Sequence, residues 1–155
     1  MIKKDIAIYT DGSCHTQLKV GGWAAIIFYD NEKIILQGSE KETTHNRMEL
    51  LAVIESTEYC IKEIKDFNQI KIYTDSQYVE RIPIRTKKFI AQDFNTKSGK
   101  EIQNIDLVKK LIDLLDSNDI EFVKVKAHQK ASDTANYNRE VDMLSRKIVR
   151  QNTNN

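Results

Sequence analysis

The alternation of apolar and polar positions divides the chain into strands first and helices later. Three β-favouring runs open the chain, at residues 5–10, 22–30 and 33–38, and turn-forming residues follow the first two. The second and third runs are separated by a short polar turn. This pattern predicts an antiparallel meander of three strands, the first of which ends at the Asp11-Gly12 turn signal.

The rest of the chain has mostly the 3.6-residue periodicity of helices, interrupted by two further apolar runs. The predicted elements are, in chain order, a helix at 46–65, a strand at 69–74, a helix from 75, a helix at 105–117, a strand at 120–125 and a helix at 138–150. Pro83 is expected to stop or bend the helix that begins at 75, because proline cannot donate a helical hydrogen bond.

This order of elements indicates the fold class. The later strands are joined by helices, which is typical of parallel crossovers, whereas the first three form a meander. We therefore expect an α/β fold with a five-stranded mixed sheet, an antiparallel meander plus parallel strands, flanked by helices. Residues 1–150 are expected to form a single domain, and the polar residues 151–155 a frayed tail.

Composition and charge argue against several classes of protein. The 155 residues carry 24 Lys+Arg against 23 Asp+Glu, so the formal net charge of +1 does not indicate a uniformly basic nucleic-acid binder. Cys14 and Cys60 lack partners at a recurring spacing, which disfavours a disulfide framework or a zinc motif and favours a reducing compartment. The sequence shows no signal-peptide pattern and no run of 18 apolar residues, so we expect a soluble, cytoplasmic protein.

Positive charge is concentrated in residues 81–100, which contain six basic residues and one acidic residue. The basic residues are Arg81, Arg85, Lys87, Lys88, Lys97 and Lys100. A charged run of this kind is most often a solvated face, but it also suits an anionic backbone. Phe89 and Phe94 lie in the same stretch, and we expect them to anchor it to the core.

Two aspartates, Asp11 and Asp75, each end the same tetrapeptide, IYTD. If their strands are parallel neighbours, both carboxylates lie at one edge of the sheet, where open α/β sheets bind ligands. Such carboxylates repel each other unless a cation neutralises them. Glu49 and Asp142, near the starts of predicted helices, would complete an all-oxygen shell for Mg²⁺ or Mn²⁺, and two such ions suit in-line attack on phosphorus. Taken singly, each acid is explained equally well as a cap.

Four segments resemble the motifs of the type 1 ribonuclease H family, in order and over nearly the whole chain. They are YTDGSC (9–14), TTHNRMELLAVI (43–54), YTDSQYV (73–79) and VKAHQK followed by NREVD (125–142). The resemblance implies a ribonuclease H-like fold and an endonuclease that hydrolyses the RNA strand of RNA/DNA hybrids. It further implies a two-metal-ion mechanism with Mg²⁺, or Mn²⁺ as a substitute, products with a 5′-phosphate and a 3′-OH, and a monomeric enzyme.

Position by position, the resemblance assigns metal ligation to four carboxylates, those of Asp11, Glu49, Asp75 and Asp142. His128 resembles the family's mobile-loop histidine, which assists proton movement or product departure. A further set of residues would face the minor groove of the hybrid, where the 2′-OH distinguishes RNA from DNA. This set comprises Gly12, Ser13, Cys14, Asn46 and Gln77.

Other residues resemble positions that contact the substrate backbone. Thr44 and Asn104 match residues that hold a phosphate of the DNA strand, although both precede predicted helices and helix capping would explain them as well. Lys87 and Lys88 lie in the basic stretch, which resembles a protrusion that grips the hybrid without reading its sequence.

The chain departs from the family pattern near the site. Residues 15–20 replace a Gly/Pro/Asn-rich turn, His45 stands where Asn is frequent, and Glu42 stands where a basic residue is frequent. The protrusion contains no tryptophan, since Trp23 is the only one in the chain. These differences bear on the affinity for the hybrid more than on the chemistry.

Three alternatives stay open. The chain could be a catalytically silent nucleic-acid-binding module of the same fold, a ribonuclease H domain derived from a reverse transcriptase, or a related nuclease such as a transposase or a junction-resolving enzyme. The first alternative predicts the loss of one or more of the four acids, all of which are present.

Overall fold

Five strands form one mixed sheet in the part of the chain that the computed structural model describes, residues 3–126 and 132–153. The strands are β1 (Ile6–His15), β2 (Val20–Tyr29), β3 (Glu32–Glu40), β4 (Ile70–Thr74) and β5 (Ile120–Lys124). Their order is β3-β2-β1-β4-β5, antiparallel from β3 to β1 and parallel from β1 to β5. The predicted mixed sheet is confirmed.

Helices cover both faces of this sheet. They are α1 (His45–Tyr59), which continues into a π-helical turn at Cys60–Ile64, then α2 (Gln77–Glu80), α3 (Ile82–Ala91), α4 (Ile105–Ser117) and α5 (Asp133–Thr153). The larger core lies between the sheet and α1, α3 and α4. A smaller core lies under α5, where the rings of Tyr9, Phe28, Tyr73 and Tyr137 pack together. Within the described residues, no helix has the length and apolar content needed to cross a membrane.

The first strand does not end at Asp11, as the turn signal predicted. It runs on to His15, because β2 continues to pair with it from Asp11↔Ala24 to His15↔Val20. The turn lies instead at residues 16–19, where Lys19 takes a left-handed conformation (φ 54°) and its N–H donates to the His15 carbonyl at 2.7 Å. The expected loop at residues 15–20 is therefore a tight turn whose two flanking residues belong to the ladder.

The basic stretch contains a helix that the sequence pattern did not predict. The helix expected from residue 75 is short and ends at Glu80, and Pro83 lies in the first turn of α3, where a missing N–H removes no hydrogen bond. The last helix also differs from its predicted bounds of 138–150: α5 begins at Asp133 and continues to Thr153, beyond the expected start of the tail.

Phe89 and Phe94 anchor the basic stretch, as predicted. Phe89 is buried, and Phe94 packs against the same core, with the two ring centroids 6.3 Å apart. Two cations lie over these rings, Arg85 at 4.7 Å from the Phe89 centroid and Lys109 at 4.9 Å from that of Phe94. Phe89 and Phe94 therefore anchor the basic stretch to the core.

Gly12 allows α1 to lie directly on β1. A Cβ atom at this position would stand 2.5 Å from the backbone nitrogen of Glu49 and 2.6 Å from the carbonyl carbon of Met48. Backbone atoms of a packed helix cannot rotate away, so any larger residue would push α1 from the sheet. Gly22 plays the same part for α5, since its Cβ would stand 2.7 Å from the Ser145 carbonyl oxygen.

We expect Gly12→Ala to lower the free energy of unfolding by about 2–3 kcal/mol, because the added methyl group overpacks a rigid contact. Urea unfolding measures the loss. Gly38→Ala is the matched control in a strand, since its Cβ would meet the half-buried Trp23 indole, which can move aside, and the loss should be less than about 1 kcal/mol. A loss in Gly12→Ala that is as small as the one expected for Gly38→Ala would show that α1 is not held tightly against β1.

Candidate active site

Three carboxylates from separate elements meet at one edge of the sheet. Asp11 lies within β1, Glu49 lies in α1 and Asp75 directly follows β4. One oxygen from each lies within 4.8 Å of the others. The parallel pairing of β1 with β4 brings Asp11 and Asp75 together, as the repeated tetrapeptide predicted.

The pairing of β1 with β4 ends just before Asp11, and the carboxylate of Glu49 accepts a hydrogen bond from β1 beyond that point. Pairing between β1 and β4 ends at Tyr9↔Tyr73, whereas β1 continues beside β2. The Gly12 N–H, which no longer faces a partner strand, donates to Oε1 of Glu49 at 3.0 Å. The carboxylate of an α1 residue is therefore held in the plane of the sheet, beside Asp11.

Asp142 reaches the same cavity from α5, on the other face of the sheet. It lines a cavity of about 460 Å³ together with Asp11 and Asp75, although it lies outside the tightest group of three. Arg146, one helical turn later, donates from Nε to Oδ1 of Asp142 at 3.0 Å. All four predicted carboxylates are thus near one cavity, with three of them in the closest contact.

Burial and mutual repulsion raise the pKa values of these acids. Burial is the largest cause of the raised pKa of Asp11, followed by the negative charge of Glu49. Burial likewise raises the pKa of Glu49, whose side chain is 1% exposed. The pKa of Asp75 is raised by burial and then by the charge of Asp142. Clustered, buried carboxylates of this kind are a costly arrangement without a cation.

The donor set fits a hard divalent cation. Its atoms are all carboxylate oxygens, which Mg²⁺, Mn²⁺ and Ca²⁺ prefer. Oε2 of Glu49 is buried and has no hydrogen-bond partner among the described residues. A buried carboxylate oxygen is rarely left without a partner, so this atom is available as a metal ligand.

The start of α1 is fixed by an ion-pair network next to the site. Arg47 donates from Nε to Glu40 at 2.8 Å and makes two bonds to the carboxylate of Asp106, at 3.0 and 2.9 Å. The bidentate contact with Arg47 holds the pKa of Asp106 below its ordinary value. This network joins β3, α1 and α4 two residues before Glu49.

Of the two residues predicted to bind a phosphate, one caps a helix. Oγ1 of Thr44 accepts a hydrogen bond from the Arg47 N–H at 3.2 Å, so the capping alternative applies to Thr44. Asn104 makes no cap bond: it has a left-handed backbone (φ 58°), and its amide reaches the Tyr78 hydroxyl at a long 3.5 Å. Asn104 occupies the N-cap position of α4, but its side chain makes no capping bond.

Three of the five residues predicted to face the minor groove line the cavity. Gly12, Ser13 and Cys14 line it directly. The Ser13 hydroxyl is also 2.8 Å from the Ser145 hydroxyl of α5. Asn46 is the half-buried second residue of α1, and Gln77 is exposed at the start of α2.

Among the described residues, Lys87, Lys88 and Glu42 do not line the cavity. Lys87 and Lys88 are exposed on α3. Glu42, one of the departures from the family pattern, is exposed in a left-handed conformation (φ 52°). His128 lies outside the described residues.

Three basic side chains at the site were not predicted as functional. Nε2 of His45, noted only as a departure, lies 3.4 Å from Oε1 of Glu49. Arg146 contacts Asp142, and a helical spacing of four residues could have indicated this pair. Lys124 ends β5 and donates from Nζ to the main-chain carbonyl of Asp75 at 2.5 Å. The sequence pattern carried no signal for this contact, because it depends on the register of β4 and β5.

The fold and the site together define an α/β protein with a carboxylate cluster suited to divalent cations. Comparison with known proteins narrows this class. The family model described as RNase H matches residues 3–150. A ribonuclease H of Wolbachia sp. subsp. Drosophila simulans is 38% identical over 150 residues, which cover 96% of this chain and 98% of that protein. A ribonuclease H of Caldicellulosiruptor saccharolyticus is 35% identical over 150 residues, with the same coverage of 96% and 98%.

Solved structures share the fold. A type 1 RNase H with the type 2 active-site motif aligns with a TM-score of 0.81 and 22% identity, over 99% of this chain and 75% of that one. A foamy viral protease-reverse transcriptase in complex with dsDNA aligns with a TM-score of 0.74 and 21% identity, over 92% of each chain. The chain belongs to the ribonuclease H family, which confirms the resemblance of its motifs. This family is metal-dependent, and the cluster of Asp11, Glu49 and Asp75 agrees with that requirement.

We expect Asp11→Asn to raise the free energy of unfolding of the metal-free protein by on the order of 2 kcal/mol at pH 7. The pKa of Asp11 is higher in the folded protein than its ordinary 3.8, so its ionisation destabilises the fold increasingly as the pH rises above that value. Asparagine removes this charge. Urea unfolding in chelator measures the change.

Asp113→Asn, at an exposed position of α4, is the matched control and should change the free energy of unfolding by less than about 0.5 kcal/mol. A loss of stability in Asp11→Asn under the same conditions would contradict the repulsive cluster.

Proposed function

We propose that this chain is an endonuclease that hydrolyses the RNA strand of RNA/DNA hybrids by a two-metal-ion mechanism, leaving a 5′-phosphate and a 3′-OH. The observation that carries the proposal is the convergence of Asp11, Glu49 and Asp75 at the sheet edge, with Asp142 on the same cavity. The relatives named ribonuclease H support the activity, since they match over nearly the whole chain.

In this proposal the four carboxylates hold two Mg²⁺ ions, with Mn²⁺ as a possible substitute. Bound divalent cations supply charge stabilisation at phosphorus and a water of lowered pKa. The protein's own part is to hold the carboxylates in place before the substrate arrives. Gly12 fixes Glu49 through its N–H, and Arg146 fixes Asp142. Such preorganisation is the main contribution that a fold makes to phosphoryl transfer.

We propose that selectivity for RNA arises where the minor groove meets the cavity. Gly12, Ser13 and Cys14 line the cavity and offer main-chain and side-chain polar groups to a 2′-OH. Asn46 and Gln77 extend this surface along α1 and α2.

The DNA strand would lie on the side of α1 and α4. We assign a phosphate of this strand to Thr44 and Asn104. The left-handed backbone of Asn104, with an amide that is not used as a cap, supports its assignment. Lys87 and Lys88 of α3 would contact the backbone of the hybrid, and His128 would assist proton movement or product departure.

We further propose that the protein acts as a monomeric, single-domain, cytoplasmic enzyme.

The alternative function, a catalytically silent binding module, is disfavoured because all four acids are present. An origin in a reverse transcriptase is disfavoured because the bacterial relatives named above are 35% and 38% identical, whereas the viral neighbour shares the fold at 21%.

The direct test is cleavage of a labelled RNA/DNA hybrid, beside matched RNA/RNA and DNA/DNA duplexes, with Mg²⁺, with Mn²⁺ and with excess chelator. We expect only the RNA strand of the hybrid to be cut, and only with metal. Asp11→Asn should lower kcat by at least about a thousandfold while the circular dichroism spectrum is unchanged.

Asp113→Asn serves again as the control and should cleave at the wild-type rate. Wild-type binding of the hybrid without cleavage under any metal would mean that the chain is a binding module.

The basic surface of α3 generates a separate prediction. Lys87→Ala combined with Lys88→Ala should raise KM for the hybrid about three- to tenfold at low salt and leave kcat nearly unchanged, since phosphate contacts give affinity without sequence specificity. The slope of log affinity against log salt should fall by about one to two units.

Lys62→Ala is the control, because Lys62 is exposed on the π-helical turn beyond α1. If the double variant of α3 has the wild-type slope of log affinity against log salt, this helix is not part of the binding surface.

A further inference from the structure

Three basic side chains surround the carboxylates, and they differ in the groups that they contact. His45 lies against the carboxylate of Glu49, and Arg146 bonds to the carboxylate of Asp142. Both therefore contact a carboxylate group of the metal site directly, at one of its two oxygens. Lys124 contacts the main-chain carbonyl of Asp75 instead and leaves the carboxylate oxygens of that residue free.

The sheet places Lys124 for this contact. Thr74 and Lys124 are paired residues at the ends of the parallel strands β4 and β5, and the Val125 N–H donates to the Thr74 carbonyl at 2.8 Å. The Lys124 side chain then spans the short distance from the end of β5 to the first residue after β4. Its ammonium group ties the chain where Asp75 leaves the sheet, which limits the directions that the Asp75 carboxylate can take.

The charge of Lys124 also acts on the carboxylates at longer range. It opposes the rise in the pKa of Asp75 and of Glu49 that burial and repulsion cause. A fixed positive charge that favours ionised carboxylates must also repel any other cation that approaches them. Because its hydrogen bond is to a carbonyl, nothing requires Lys124 to leave when a metal ion binds.

We propose that Lys124 is a positioning residue of the metal centre, which anchors Asp75 and offsets carboxylate repulsion in the metal-free protein while it weakens the binding of divalent cations. This inference rests on the metal centre of the proposed function. In this inference Lys124, which is not one of the four acids, sets the affinity of the site for divalent cations.

The test is isothermal titration of Mg²⁺, and separately of Mn²⁺, into the free protein at low ionic strength. Lys124→Met keeps the apolar stem but removes the charge, and it should bind Mg²⁺ about five- to tenfold more tightly than the wild type. Lys124→Gln should give the same direction, and Lys124→Arg, which keeps the charge, should stay within about twofold. The gain should shrink in high salt, because screening weakens a charge effect and not a packing effect.

Lys71→Met is the matched control, since Lys71 lies on β4, four residues before Asp75, and pairs with Glu121 in the ladder. Its Mg²⁺ affinity should equal that of the wild type. Urea unfolding in chelator gives a second readout: Lys124→Met and Lys124→Gln should have lower midpoints than Lys124→Arg, and saturating Mg²⁺ should reduce this difference.

The outcomes separate this inference from the proposed function, because no hybrid is needed. A Lys124→Met protein that is folded and binds Mg²⁺ no more tightly than Lys71→Met overturns the role of Lys124, even if the wild type cleaves hybrids. Tighter, salt-sensitive Mg²⁺ binding by Lys124→Met and Lys124→Gln supports it, even if no hybrid is cleaved. A wild-type protein that binds neither metal overturns both.

Discussion

Repulsion between buried carboxylates is the constraint on which the rest of this structure depends. Asp11, Glu49 and Asp75 are held closer together than their charges favour, and burial removes the water that would screen them. The fold offsets this repulsion elsewhere, through the apolar core between the sheet and α1, α3 and α4. Gly12 matters for the same reason, since it lets α1 approach until Glu49 stands beside Asp11. The site is therefore built for a positively charged ligand before any ligand arrives.

The basic side chains around the site divide into two kinds. His45 and Arg146 each contact one carboxylate oxygen directly, Oε1 of Glu49 and Oδ1 of Asp142, and Oε2 of Glu49 keeps no hydrogen-bond partner among the described residues. Lys124 acts through the backbone and through space. The metal-free protein thus holds its carboxylates in part through contacts that leave ligand oxygens available. A balance of this kind sets the affinity for ions without changing the ligands themselves.

Much of the fold and the acidic site followed from the sequence, since strand patterning and the repeated tetrapeptide placed Asp11 and Asp75 on neighbouring parallel strands. The errors have identifiable physical causes. Asp11-Gly12 is a turn signal in isolation, but pairing with β2 satisfies its backbone and the strand continues. Tertiary contacts of Phe89 stabilise α3, although its sequence is charged and contains Pro83. The contact of Lys124 with a carbonyl depends on strand register, which the periodicity alone does not specify.

The opening between β1 and β4 has a consequence for how this surface tolerates change. Beyond Tyr9 the strand keeps one partner, so one of its two hydrogen-bonding edges is exposed to the cavity or meets Glu49. Main-chain groups along that edge are the same whatever side chains the strand carries. A ligand that bonds to them would be indifferent to most substitutions there, provided that the glycines remain. The side chains of β1 beside the cavity, and those of the turn at residues 16–19, can therefore vary in sequence while the main-chain groups of this edge stay constant.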